Sequence, residues 1–79
     1  MPVTVEEVKK ILRDEFPGSD VGGITEEDHE VVGAVVWKGF KGKDLDERHR
    51  LMDERVLDKL GMRGINVGLV FLLAPGEKL

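Results

Sequence analysis

Seventy-nine residues carrying a net charge of −4, with 41% hydrophobic and 35% charged side chains, describe one small globular domain; a disordered chain, a membrane-embedded chain and a large enzyme scaffold are all excluded. Cysteine is absent, which rules out disulfides, thiolate metal ligands and thiol catalysis and suits the cytoplasm, and no apolar run approaches the ~18 residues of a membrane span. Residues 1–37 hold nine acids against three bases and residues 38–63 hold eight bases against six acids, so general DNA binding is disfavoured while a local basic edge survives.

Thr4 and Glu7 form a capping-box pattern, and Val5, Val8, Ile11, Leu12 and Phe16 recur at helical spacing. This predicts a first helix over residues 4–16, stopped by Pro17-Gly18. Residues 20–24 read as a short first strand and residues 25–30 as the turn after it. The β-branched run at residues 31–37 predicts a second strand, followed by a Gly- and Lys-containing loop over residues 38–43. Asp44 caps the next helix with Glu47 three positions on, and Leu45, His49, Met52, Val56 and Leu60 supply its apolar face. Gly61 stops this stretch, which is either one helix or two in series. Residues 66–73 predict the last strand, ended by Pro75-Gly76.

The expected fold is therefore α+β in the order α-β-β-α-(α)-β. It is a three-stranded mixed sheet with helices packed on one face, the first two strands antiparallel and the third returning in parallel through the helical crossover. The second and third strands are apolar at both odd and even positions. A sheet with one face in water should alternate, so the face away from the helices is expected to be covered by a second copy, sheet to sheet or through a strand edge. Val35, Trp37, Leu69 and Phe71 are the candidate interface residues.

Gly39-Phe40-Lys41-Gly42, flanked by Lys38 and Lys43, has the G-x-x-G shape with which KH domains clamp a nucleic-acid backbone. Two glycines also make an ordinary turn with solvated lysines, and this loop follows a strand rather than joining two helices. Arg48 and Arg50 either reach phosphates or pair with the acids around them. Lys38, Gly39, Lys41, Gly42, Lys43, Arg48 and Arg50 together define the candidate site for weak, phosphate-dominated nucleic-acid binding. His49, on the apolar stripe and hence partly buried, and His29, in the acidic turn, are the candidate metal ligands. Trp37 and Phe71 read as base-stacking platforms or as core and interface aromatics. With two histidines, one serine (Ser19) and no nucleophile elbow, a base–nucleophile pair lacks parts, and no enzymatic activity is expected.

From Phe40 the chain reads Phe-x-Gly-x-Asp-x-x-x-Arg-His-Arg-Leu-Met, at Phe40, Gly42, Asp44, Arg48, His49, Arg50, Leu51 and Met52. This resembles the central motif of BolA-like proteins, Phe-x-Gly-x-Ser-x-x-x-Arg-His. The first helix ending Phe16-Pro17 and the closing Ala74-Pro75-Gly76-Glu77 are similar to that family's ends, so the resemblance spans nearly the whole chain. It implies the α-β-β-α-α-β fold related to type II KH domains, and a regulatory or adaptor role. The resemblance also implies a monothiol glutaredoxin as partner, sharing a [2Fe–2S] cluster. In that family a histidine at the start of the last strand ligates the cluster, and here Asn66 takes its place. A carboxamide is a poor iron ligand beside imidazole or thiolate, so an interaction module without resident cofactor is expected.

Overall fold

The computed structural model describes residues 2–78. Helix α1 (Val5–Glu15) starts where the sequence places it: the Thr4 hydroxyl accepts from the Glu7 N–H at 3.2 Å, and the Glu7 carboxylate accepts from the Thr4 N–H at 3.3 Å. Val8 and Leu12 are buried beneath it, with Phe16 just past its end.

The sheet is built from β1 (Thr25–Glu27), β2 (Glu30–Val36) and β3 (Val67–Leu73) in that spatial order. β1 pairs antiparallel with β2 and β3 pairs parallel with it, giving the expected α+β mixed sheet. The first strand lies further along the chain than expected. Residues 20–24 form a wrapped loop in which only Asp20 pairs with β2, opposite Val36, while Val21 and Ile24 plug into the core. Residues 25–27 are the strand, and the turn shrinks to Asp28-His29. Both of these residues have positive φ (50° and 69°), the conformation of a two-residue hairpin turn.

Where that loop crosses β2, Gly23 and Gly33 meet backbone to backbone. A Cβ on Gly33, whose φ is 134°, would lie 2.0 Å from the Gly23 carbonyl oxygen. Only glycine fits there.

After β2 a 3₁₀ turn (Lys38–Phe40) leads to α2 (Leu45–Met52), a π-helical stretch (Asp53–Leu57), the short α3 (Asp58–Leu60) and a 3₁₀ stretch (Gly61–Asn66). Asp44 caps α2 as expected, its carboxylate accepting from the Glu47 N–H at 2.9 Å. The inward stripe, however, is Arg48, Met52, Val56 and Leu60; Leu45 and His49 are exposed. Residues at spacing four advance about 40° per step around an α-helix, so three steps would carry Leu60 about 120° off the line set by Arg48. The wider π turn takes up this drift and keeps Val56 and Leu60 on the core.

All the helices cover one face of the sheet. The core between the layers joins Val8, Leu12 and Phe16 to Val31, Val35, Phe40, Met52, Val56, Val70 and Leu72. At one end, the rings of Phe16, Trp37 and Phe40 form a cluster with centroids 4.7–5.2 Å apart.

Candidate functional site

An open groove of about 440 Å³ lies on the sheet face that no helix covers, lined by Val32, Ala34, Leu69 and Phe71 with Thr25 and Glu27 at one end. The register explains its composition. Ala34 stands beside Phe71 and Val36 beside Leu73, all pointing away from the helices, whereas Val35 stands beside Leu72 and points into the core. Leu69 is 64% exposed and Phe71 42% exposed, although both are large and apolar. β3 carries an extra residue between the pairs Val31–Val67 and Gly33–Val70, so Gly68 and Leu69 oppose Val32 together. A Cβ on Gly68 would press on the Val32 side chain at 2.9 Å, which fixes glycine at this bulge.

The four expected interface residues therefore divide. Leu69 and Phe71 lie on the open face, whereas Val35 is fully buried on the helix side. Trp37 belongs to the aromatic cluster and its indole N–H donates to the Pro17 carbonyl at 3.0 Å. Trp37 is thus a core aromatic and not a stacking platform.

The loop over residues 38–43 is built for its own packing. Gly39 lies under the Trp37 indole, where a Cβ would come within 2.4 Å of the ring. Gly42 has a φ of 80°. Phe40 is buried, and the Lys43 ammonium donates to the Gly39 carbonyl at 2.9 Å. Lys38, Lys41 and Arg50 are exposed. The start of α2 beside them carries Asp44, Asp46 and Glu47, which already complement the helix dipole and repel an anion.

Arg48, expected at a phosphate, is instead a buried clasp. Its Nε donates to the Lys43 carbonyl at 2.9 Å and one terminal nitrogen donates to the Leu72 carbonyl at 2.9 Å. Both terminal nitrogens hold the Glu77 carboxylate, at 2.6 and 2.9 Å. Glu77 also accepts from the Ala74 N–H at 2.9 Å, so Arg48 fastens α2, β3 and the closing Ala74–Glu77 turn together. Nothing short-range in the sequence pairs residues 29 positions apart, so Glu77 escaped notice as the partner.

The guanidinium holds the Glu77 carboxyl down to about 2 from an ordinary 4.5, with the Ala74 N–H as the next cause. A carboxyl depressed in the folded state adds stability above its unfolded value and loses it as pH falls through its folded value. The difference in melting temperature between wild type and Glu77→Gln should therefore be constant from neutrality to about pH 4.5. It should shrink steadily toward pH 2, as followed by circular dichroism melts across that range.

The two histidines lie in separate hollows. His29 lines one of about 300 Å³ with Pro2, Val3, Thr4, Glu26 and Asn66. His49 lines another of about 120 Å³ with Met52, Asp53, Leu57 and the start of β3. Asn66 makes a two-pronged hydrogen bond with the Val3 backbone: its Oδ1 accepts from the N–H at 3.1 Å and its Nδ2 donates to the carbonyl at 2.9 Å. Both polar ends of the carboxamide are thereby used. Among the described residues no group of three His, Cys, Asp or Glu stands together, and the chain has no cysteine.

No helix among the described residues is long and apolar enough to cross a membrane. No protein-family profile, curated protein or solved structure matches the chain.

Proposed function

We propose that this chain is a non-enzymatic, BolA-like adaptor module of the cytoplasm whose working surface is the open face of its sheet. The observation that carries the reading is the exposure of Leu69 and Phe71 beside Val32, Ala34, Val36 and Leu73, with every helix on the opposite side. Large apolar side chains left in water together on one face are what a protein-binding surface carries. The motif from Phe40 to Met52 supports the reading differently: Phe40, Gly42, Asp44 and Arg48 each do a folding job there. They set the scaffold behind the face.

A glutaredoxin-type partner sharing a cluster is the weaker form of the proposal, because Asn66 is committed to Val3 and His29 and His49 lie apart. A nucleic-acid partner has Lys38 and Lys41 available, but Arg48 is withdrawn and the adjoining helix start is acidic.

Site-specific photo-crosslinking in the expressing cells tests the proposal. With p-benzoylphenylalanine in place of Leu69 or Val32 we expect protein adducts, and with the same residue in place of Lys10 or Asp14 on exposed positions of α1 we expect none. Adducts equally abundant from both sets, or absent from the sheet positions, would contradict it.

A further inference from the structure

We infer that the Arg48–Glu77 ion pair stands in for one residue of a fourth strand, and that it thereby closes the edge of β3 to strand addition by another copy of this chain. The inference is independent of the reading of the open face, because it concerns the rim of the sheet and not its surface.

The order β1-β2-β3 leaves β3 at an edge. Its seven residues, Val-Gly-Leu-Val-Phe-Leu-Leu, contain no charge and no proline, the composition of an edge that pairs readily with another strand. The ladder fixes which peptide groups lie along the rim. The Trp37 N–H donates to the Leu73 carbonyl at 2.8 Å, so Leu73 turns its backbone groups toward β2. Successive residues of a paired strand turn theirs to opposite sides. Leu72 and Ala74 therefore face the rim, and so does Val70.

A residue of an added parallel strand, set opposite Leu73, would bond this rim twice. Its N–H would donate to the Leu72 carbonyl, and its carbonyl would accept from the Ala74 N–H. Both places are taken. A terminal nitrogen of Arg48 donates to the Leu72 carbonyl at 2.9 Å, and the Glu77 Oε1 accepts from the Ala74 N–H at 2.9 Å. That same nitrogen and that same oxygen bond each other at 2.6 Å, which closes the set. The donor and the acceptor of one strand residue are thus supplied by two side chains.

These bonds are charge-assisted, and the neutral bonds of an incoming backbone are weaker replacements for them. Further back along the rim, Gly68 and Leu69 form the bulge that breaks regular pairing. Clasp and bulge together leave only the stretch around Val70 with the spacing a new strand requires.

Sedimentation velocity of the full chain carrying Arg48→Met and Glu77→Ala, set against wild type, tests this. Replacing a buried ion pair by apolar groups often leaves stability intact, and circular dichroism melts check that the variant is folded. Glu77→Ala alone, at an exposed position, frees the Ala74 N–H without touching the core. We expect the double variant to self-associate about ten-fold more strongly than wild type at micromolar concentration, with Glu77→Ala in between. Amide hydrogen exchange locates the contact: the rim-facing N–H groups of Val70 and Leu72 should exchange more slowly in the associated variant than in wild type.

A folded double variant that associates no more than wild type would overturn the inference. So would association that leaves the Val70 and Leu72 amides exchanging as they do in wild type. Should the double variant fail to fold, the same two readings on Glu77→Ala decide the matter.

Discussion

Phe40→Ala should cost about 3–5 kcal/mol, a large share of the stability a domain of this size possesses. Phe40 is fully buried, edge-on to both Phe16 and Trp37 with ring centroids 5.2 Å away, and the Arg48 guanidinium lies 5.9 Å from its ring centre. Removing the ring takes away its transfer free energy and leaves a void that the neighbouring strand and turn cannot close. Denaturant unfolding should show the midpoint collapsing for Phe40→Ala and moving much less for Phe40→Leu, which keeps most of the volume. If the residue acted as a surface clamp on a ligand, Phe40→Ala would change stability by under about 0.5 kcal/mol.

Gly33→Ala should be comparably damaging for a different reason. The added methyl would sit 2.0 Å from the Gly23 carbonyl oxygen and within 3.0 Å of the Ile24 Cα, and φ is 134°. No rotamer change relieves a clash with backbone, so the loop that carries Val21 and Ile24 into the core must lift off β2. Backbone strain of about 1–3 kcal/mol adds to an overpacking cost of similar size. We expect a loss of at least about 3 kcal/mol by denaturant unfolding. Gly76→Ala, also at positive φ but with nothing within 4 Å, should cost far less, which isolates the clash from the dihedral.

These two positions show why some of the fold was legible in the sequence and some was not. Helix α1, the β2 and β3 cores and the Asp44 cap follow from local periodicity and capping chemistry, and the structure keeps them within a residue or two. The first strand was misplaced because β1 is Thr-Glu-Glu, without an apolar residue, and its pairing is imposed by the Asp28-His29 turn and not by its own pattern. Gly33 gave no local sign that a loop would cross it.

Only the first part of the second helix was read one residue out of register; Met52, Val56 and Leu60 face the core as the pattern indicated. Arg48 looks like a solvent residue until Glu77 and the Leu72 carbonyl arrive from distant parts of the chain, and burying it turns His49 outward. The site divided along the same line. That both sheet faces would be apolar was visible in the strands, but which residues share the uncovered one depends on the β2–β3 register and its bulge. That is why Val35 and Trp37 were grouped with Leu69 and Phe71 although they lie on the helix side.

The open sheet face is the centre of this account, and photo-crosslinking from Leu69 and Val32 set against Lys10 and Asp14 tests it most directly. We expect protein adducts from the two sheet positions and none from the two positions on α1. Adducts equally abundant from both sets, or absent from the sheet positions, would contradict it.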